Sequence, residues 1–378
     1  MRIVVAMSGG VDSSVAAALL AEQGHEVIGL SMQLYDQREG QPSFGTCCSI
    51  DDLHDARRVA SALDIPHYIV NFERQFQDHV VSNFVSEYLS GRTPIPCAHC
   101  NSDLKFATLL DRARGLGADM VATGHYARVD RDASRTYALR RGVDAGKDQS
   151  YFLFSLTQEQ LRHAVFPVGG WCKGAVRDYA RARKLPVANK PDSQEICFVP
   201  DGDYAMFVER HAVAGGDGGA PVASRGLIVD RAGHALGRHA GVHHFTVGQR
   251  KGLGLAARTP LYVLELHPAD NTVVVGPRQA LEETTLTASG VNWIAGEPPA
   301  HPLRVQAQIR HRHAPAAARV EALETGRVAL EFDSPQTAIT PGQAVVFYNG
   351  DIVLGGGWIA NSVHSPQSIV HSHTSTTS

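Results

Sequence analysis

The stretch of sequence that decides the fold is residues 3–20, which read IVVAMSGGVDSSVAAALL. The apolar run Ile3–Met7 predicts a buried strand, and the Ala- and Leu-rich run that begins at Val15 predicts a helix. Between them, Gly9 and Gly10 permit a tight turn and a close approach of the backbone to a ligand. Because the first N–H groups of a helix have no partners within the helix, this strand, turn and helix predict a phosphate site.

The side chains of the same turn extend this prediction. Ser13 and Ser14 supply hydroxyl donors, and Asp12 could hold Mg²⁺ beside a phosphate. The turn lacks the Gly-Lys-Ser/Thr ending of a Walker A loop, whose lysine serves the β and γ phosphates. A loop without that lysine could instead bind pyrophosphate. The alternative is a Ser/Gly turn in which Asp12 or Ser13 only caps the helix.

Strand and helix patterns alternate through the first part of the chain. Strands are predicted at Ile3–Met7, Val27–Leu34, Tyr68–Phe72 and Met120–Thr123. Helices are predicted at Ser13–Gln23, Asp51–Leu63, Phe76–Leu89, Ser102–Leu116 and Leu161–Leu185. This alternation predicts an α/β fold with a doubly wound parallel sheet, whose ligands bind beyond the carboxyl ends of the strands.

The 378-residue chain is too long for one compact core, so several domains are expected. A Gly-rich linker at Ala214–Ala220 precedes short β runs, among them His244–Val247, that are separated by glycine turns. We predict an α/β domain over 1–205, a small central β domain over 206–280 and a C-terminal β-barrel over 281–362. Residues 363–378 form a His-, Ser- and Thr-rich tail that is predicted to be disordered.

Composition indicates a soluble globular protein, with 43% hydrophobic and 19% charged residues. No apolar run approaches the roughly 18 residues of a membrane span, and no signal peptide is recognised. A cytoplasmic location without a membrane partner is therefore expected. The formal net charge of −3 argues against a generally basic nucleic-acid binder but leaves room for local basic patches.

Six cysteines are present, and in such a chain they favour catalysis or metal binding over a disulfide framework. Cys97 and Cys100 have C-x-x-C spacing, and Cys100 falls just before the helix predicted from Ser102. A helix N-terminus favours the thiolate form, which suits a nucleophile. Two buried cysteines or half of a zinc site are the alternatives, although there is no second C-x-x-C. Cys47 and Cys48 are expected in a loop without chemistry.

Cys197 lies in a polar segment, Asp192–Phe198, which is improbable as part of a core. The pair Cys100 and Cys197 suits a sulfur transfer in which one thiol carries a persulfide and the other resolves the product by thiol–disulfide exchange. A persulfide needs an activated carbon, and adenylation of a carbonyl oxygen supplies one. The N-terminal turn and the cysteines therefore predict the two halves of one reaction.

Residues Ser8–Ser14 resemble the signature of the ATP pyrophosphatase superfamily, whose members adenylate a substrate and release pyrophosphate. Further segments occur in the order seen in the bacterial tRNA-specific 2-thiouridylase family. They are Cys100–Phe106, Gly124–Tyr126, Lys147–Tyr151, Asp192–Asp203, Gly248–Gly254 and Pro341–Ala344. This resemblance covers about residues 1–361 and implies an N-terminal ATP pyrophosphatase domain, a small central domain and a C-terminal β-barrel that binds tRNA.

The resemblance implies thiolation of the wobble uridine of tRNA. The C2 oxygen would attack the α-phosphate of ATP, which is bound with Mg²⁺, and a persulfide on Cys197 would then attack C2. Cys100 would free the sulfur and leave a transient Cys100–Cys197 disulfide. The sulfur would come from a persulfide donor or relay protein of a cysteine desulfurase system.

The resemblance also implies two sets of binding residues. The ATP-binding residues would be Ala6, Met7, Ser8, Gly9, Gly10, Val11, Asp12, Ser13, Met32 and Gly124. The tRNA-binding residues would be Ile95, Pro96, Cys97, His125, Lys147, Asp148, Gln149, Arg310, His311 and Gln343. The flipped-out wobble base would lie beside Ile95–Cys97.

The chain departs from the family pattern at two positions. Cys97 stands where the family often has an aspartate with a proton-handling role. Either a thiolate of low pKa replaces that aspartate, or the role is not essential. Alternatively, Cys97, Cys100 and Cys197 could hold a [4Fe–4S] cluster whose open iron carries a sulfide. His311 stands where tyrosine is common, and histidine can still stack on a base.

Two rival functions remain open at this point. An amidotransferase-type synthetase that acts on a small molecule would also use the turn at Ser8–Ser14, but it would need neither Cys100 nor Cys197. An RNA-binding module without catalysis would need neither the turn nor the cysteines.

Overall fold

A computed structural model describes residues 1–34, 50–131, 136–192, 196–199, 202–214 and 225–360. Cys47, Cys48, residues 215–220 of the Gly-rich linker and the tail from 363 lie outside these residues, so the predictions for them are not tested. No helix of the described ranges is long and apolar enough to cross a bilayer.

The described strands and helices follow one another along the chain as three groups. The strands are β1 (Arg2–Ala6), β2 (Glu26–Gln33), β3 (His67–Asn71), β4 (Met120–Ala122), β5 (Ala127–Arg131), β6 (Tyr137–Arg141), β7 (Ala164–Val165), β8 (Gly226–Val229), β9 (Ala235–His239), β10 (Tyr262–His267), β11 (Thr272–Gly276), β12 (Glu282–Trp293), β13 (Leu303–Gln308), β14 (Ala316–Leu323), β15 (Arg327–Thr337), β16 (Ala344–Asn349) and β17 (Ile352–Ile359). The α-helices are α1 (Val11–Glu22), α2 (Ile50–Ala62), α3 (Glu73–Phe76), α4 (Ser82–Leu89), α5 (Pro96–His99), α6 (Leu109–Gly115), α7 (Gln158–Arg162), α8 (Lys173–Ala182) and α9 (Tyr204–Ala214). Two π-helical segments, Gln77–Val81 and Cys100–Thr108, connect α3 to α4 and α5 to α6.

The N-terminal sheet is parallel, with the strand order β3-β2-β1-β4-β7. Ile3, Val4 and Val5 of β1 are almost fully buried, as expected for a central strand that is covered on both faces. The chain moves outward from β1 to β3 on one side and from β4 to β7 on the other. This reversal places a crevice at the carboxyl ends of β1 and β4, and it confirms the predicted doubly wound sheet.

The C-terminal strands form a closed barrel in the order β12-β15-β14-β13-β16-β17, with β12 also paired to β17. Alternate side chains of its strands, such as Val305, Ala307, Val345 and Phe347, form the interior core. The predicted barrel is therefore confirmed. The β5–β6 hairpin of the N-terminal part adds to the barrel sheet through the pairing of Ile352 with Arg140. Strands β8–β11, which lie along the chain between the N-terminal sheet and the barrel, form a small sheet of order β10-β11-β8-β9.

Three sequence-based element predictions are wrong. The helix expected over Leu161–Leu185 is instead α7, the short strand β7 and α8, because Pro167 and the Gly169–Gly170 pair interrupt the helical pattern. The strand expected at His244–Val247 is wrong, since Val242–His244 forms a 3₁₀ turn.

The third error concerns the helix expected to begin near Ser102. Helical structure begins at Pro96, whose missing N–H costs nothing at the first position of a helix. Cys97 therefore lies in the first helical turn, and Cys100 begins the π-helical segment that follows. The argument that a helix N-terminus favours a thiolate consequently applies to Cys97 rather than to Cys100.

Candidate active site

A cavity of about 390 Å³ opens at the carboxyl edge of the N-terminal sheet. It brings together most of the residues that were predicted to act on ATP and sulfur. The predicted residues that line it are Ala6, Met7, Ser8, Gly10, Val11, Asp12, Ser13, Met32, Pro96, Cys97, Cys100, Gly124, His125, Lys147, Gln149 and Cys197. Residues of the Ser8–Ser14 turn and all three candidate cysteines therefore line one cavity.

Two glycines let the backbone close around the N-terminal turn. Gly9 has φ +72°, and a Cβ there would lie 2.2 Å from the backbone oxygen of Asp52. A Cβ on Gly124 would lie 2.5 Å from the backbone nitrogen of Ser13. The segment after β4 thus packs directly on the first turn of α1, which leaves no room for a side chain at either position.

The start of α1 keeps the features of an anion site. Gly10 is the residue before the helix and makes no side-chain cap. Ser13 Oγ accepts a hydrogen bond from the N–H of Ser8 at 3.2 Å and donates to the Gly10 oxygen. Asp12 turns toward Lys173, so the capping alternative does not describe how these side chains are used. A helix start without a side-chain cap is a candidate anion site.

Lys173 is the residue that the sequence analysis missed. It is the first residue of α8, and its Nζ donates to both carboxylate oxygens of Asp12 at 2.7 Å. The same ammonium lies 2.9 Å from Asp192 Oδ1, and Lys147 Nζ lies 2.7 Å from Asp192 Oδ2. The Ser8–Ser14 turn contains no lysine. Lys147 and Lys173, from later in the chain, line the same cavity as this turn.

Asp192 is the carboxylate that links these lysines. Burial would raise the pKa of the Asp192 carboxyl, but hydrogen bonds from Lys147 and Lys173 outweigh this effect and hold the pKa well below its usual range. Arg177 also donates to Asp192 Oδ1 at 2.7 Å. The group is therefore ionised at neutral pH, and it holds positive charges beside the turn.

Aromatic packing holds the part of the cavity wall that carries Cys197. Cys100 and Cys197 are partly buried, and Cys97 is exposed. Phe198, the neighbour of Cys197, packs edge-on against Phe84 with ring centroids 5.1 Å apart, and it also contacts Phe207 at 5.1 Å. These contacts fix the segment that carries Cys197 against α4 and α9.

His125 also lines this cavity. Burial lowers the pKa of its imidazole well below the usual value, and the ammonium of Lys105 lowers it further. Nδ1 of His125 lies 2.7 Å from Thr123 Oγ1. The ring is consequently neutral at pH 7, so it can take part in hydrogen bonds or stacking but does not supply a positive charge.

The remaining predicted residues are not among those that line the cavity. Ile95 is buried. Gln343 of the barrel donates to the Thr93 oxygen at 2.9 Å, and Arg310 lies 3.4 Å from the Thr337 oxygen.

His311 of the barrel contacts a residue of the cavity wall. Its ring lies 4.5 Å from that of Phe152, which itself lines the cavity. Asp148 has a side chain that is only 8% exposed, and its carboxylate accepts hydrogen bonds from Gly142 and Ser150 and pairs with Arg141. Any contact of Asp148 with tRNA stays a prediction.

Comparisons with known proteins match three successive parts of the chain. Residues 1–201 match the family described as tRNA methyl transferase HUP domain, residues 220–277 the tRNA methyl transferase PRC-barrel domain, and residues 283–359 the Aminomethyltransferase beta-barrel domain. Among solved structures, a 4-thiouridine synthetase–RNA complex with bound ATP is similar with a TM-score of 0.32 and 17% identity, covering 55% of this chain and 50% of that one. A likeness of that size carries no argument about function.

Curated relatives are much more similar. The tRNA-specific 2-thiouridylase MnmA of Geotalea uraniireducens (strain Rf4) is 54% identical over 375 residues, which is 98% of each chain. That of Solibacter usitatus (strain Ellin6076) is 55% identical over 368 residues, 94% of this chain and 98% of the relative. Identity of this level over nearly the whole length confirms the resemblance, and the chain belongs to the tRNA-specific 2-thiouridylase (MnmA) family.

Proposed function

We propose that this protein is an ATP-dependent tRNA sulfurtransferase that converts the wobble uridine to 2-thiouridine. The observation that carries the proposal is the single cavity lined by both the Ser8–Ser13 turn and the cysteines Cys100 and Cys197. A synthetase acting on a small molecule has no need of those cysteines in its adenylation site. The family relatives support the choice of tRNA uridine as substrate.

Activation is the first step of the proposed reaction. The C2 oxygen of uridine attacks the α-phosphorus of ATP, and pyrophosphate leaves with the electrons of the broken P–O bond. The N–H groups at the start of α1 and the ammonium of Lys173 stabilise the charge that develops on pyrophosphate. When it is bound with ATP, Mg²⁺ neutralises phosphate charge. Asp12 is the carboxylate of the turn that could hold it once Lys173 has moved to the phosphates.

Sulfur transfer is the second step. The terminal sulfur of a Cys197 persulfide attacks C2, and AMP leaves with the former C2 oxygen. Cys100 thiolate then attacks Sγ of Cys197, so that the S–S bond breaks and its electrons remain on the sulfur bound to C2. The products are 2-thiouridine and a Cys100–Cys197 disulfide. A thiol reductant must reduce that disulfide, and a persulfide donor of the cysteine desulfurase type must reload Cys197.

Cys97 is proposed as the proton-handling group of the first step, since it lies in the first turn of a helix and is exposed to the cavity. The alternative is a [4Fe–4S] cluster on Cys97, Cys100 and Cys197, which would supply an iron able to hold sulfide. Iron and labile-sulfide analysis of anaerobically purified, active protein separates the two. Absence of both elements excludes the cluster. The proposed location is the cytoplasm, where tRNA and ATP are available.

The test is an assay with unmodified tRNA, ATP, Mg²⁺ and a persulfide donor, read for 2-thiouridine by mass spectrometry of nucleosides. We expect product only when all four are present, with one AMP and one pyrophosphate released per uridine. Product formed without ATP would contradict the activation step. ATP cleavage driven by a small-molecule amide acceptor, with no effect of tRNA, would support the rival synthetase.

Binding of tRNA is expected to depend steeply on salt although the net charge is negative. The barrel exposes Arg312 beside His311, and phosphate contacts by such residues release counterions. We expect Arg312→Ala to weaken tRNA binding and to reduce the slope of log Kd against log salt by about 1. Filter binding over a salt series measures this slope. Arg74→Ala, in α3 and outside the barrel, is the control, and an unchanged slope in Arg312→Ala would contradict the prediction.

A further inference from the structure

A second group of ligand-type side chains lies outside the cavity lining, where α9 meets the 3₁₀ turn Val242–His244. Glu209 Oε1 lies 3.1 Å from His243 Nε2 and 3.0 Å from His244 Nε2. The three atoms all lie within 4.8 Å of one another. His243 is 2% exposed, while Glu209 and His244 are 34% and 35% exposed. None of the three lines the cavity described above.

We propose that Glu209, His243 and His244 bind a divalent cation of the Zn²⁺ class. Two imidazole nitrogens and one carboxylate oxygen form a common zinc ligand set, with bonds of about 2.0–2.2 Å. Tetrahedral ligands at that bond length lie about 3.3 Å apart. The separations of the two Nε2 atoms from Glu209 Oε1, 3.1 and 3.0 Å, are close to this value, and the two Nε2 atoms lie within 4.8 Å of each other. Small movements of the side chains would therefore admit the ion. A water molecule would complete the four ligands.

The direction of the two rings supports a cation rather than a hydrogen-bonded cluster alone. Both Nε2 atoms converge on the same oxygen, Oε1 of Glu209. As a hydrogen-bonded cluster, this arrangement requires both rings to place their proton on Nε2 and one oxygen to accept twice. One divalent cation between the three atoms would replace both protons and satisfy the three ligand atoms together.

The position of the cluster indicates what a bound ion would do. Glu209 comes from α9, whereas His243 and His244 come from the 3₁₀ turn of the central domain. On the same helix, Phe207 packs against Phe198, the neighbour of Cys197. A cation at Glu209 would therefore fasten the Val242–His244 turn to the helix that supports the Cys197 segment, as structural zinc sites fasten separate parts of a chain.

The experiment measures Zn²⁺ binding to the full-length chain in which the tail histidines His364, His371 and His373 are replaced by Ala. We compare this protein with its Glu209→Gln and His244→Ala variants. Removal of a ligand should weaken Zn²⁺ binding by about tenfold to 100-fold. It should also abolish the rise in Tm that Zn²⁺ produces. Visible absorption of bound Co²⁺ reports the ligands, because binding at cavity cysteines adds intense thiolate bands.

The control is His234→Ala, which removes a histidine of the central domain that pairs with Asp230. It should bind Zn²⁺ like the parent. Glu209→Gln retains a hydrogen-bond acceptor for both rings, so it tests coordination without deleting the cluster. Equal Zn²⁺ affinity and equal Zn²⁺-dependent Tm in the parent and in both ligand variants would overturn the proposal, and so would a Co²⁺ spectrum dominated by thiolate bands. Neither readout depends on the thiolation assay.

Discussion

Replacing Lys173 by Met should slow tRNA-dependent release of pyrophosphate by about 10²- to 10³-fold, the usual loss when one preorganised charged donor is removed from a transition state. The ammonium is only 12% exposed and contacts the carboxylates of both Asp12 and Asp192. Met fills a similar volume but leaves those two negative charges facing the phosphates of ATP. Quenched-flow measurement of pyrophosphate with saturating tRNA gives the rate of this step.

Two comparisons make this test specific. Lys173→Arg retains the charge and should recover part of the rate, whereas Arg112→Met, an exposed residue of α6, should behave like the parent. The amount of persulfide that Cys197 accepts from a donor should be the same in all four proteins, because sulfur loading precedes and does not use the phosphate site. An unimpaired pyrophosphate rate in Lys173→Met would show that the lysine serves only to pair with Asp12 and Asp192.

The N-terminal sheet could be predicted because each of its central strands is a short apolar run that is followed by a helical pattern. Ile3–Met7 and Val27–Leu34 are such runs, and the structure has strands at Arg2–Ala6 and Glu26–Gln33. The rule for doubly wound sheets then predicted ligand binding beyond the carboxyl ends of these strands, and the cavity lined by Ser8 and Gly124 lies at that edge.

Lys173 could not be predicted because nothing local marks it. It lies 161 residues from Asp12 along the chain, and its helix shows only an ordinary amphipathic pattern. A contact of this kind depends on how α8 packs on α1, which single-sequence periodicity does not determine. By contrast, the helix start at Pro96 was marked in the sequence, since proline favours the first position of a helix.

The three cavity cysteines should be separable by the step at which each variant stops. Cys197→Ser should take no persulfide and form no 2-thiouridine, while its binding of ATP is unchanged. Cys100→Ser should accept persulfide on Cys197 but release no free 2-thiouridine in a single turnover, because nothing cleaves the bond between Cys197 and the transferred sulfur. Cys97→Ser should still accept persulfide on Cys197, but it should release pyrophosphate more slowly than the parent protein.

These outcomes follow from the assigned roles, and the chain supplies its own control. Cys172 precedes α8, is exposed and is not among the residues that line the cavity. Cys172→Ser therefore tests the loss of a thiol outside the site, and this variant should thiolate tRNA at the parent rate. Persulfide loading is measured by mass spectrometry of the intact protein, and product by nucleoside analysis. Product formation by Cys197→Ser would refute the sulfur carrier. Loss of persulfide loading in Cys97→Ser would exclude a role limited to protons, because a group that serves only the adenylation step is not required before ATP is cleaved.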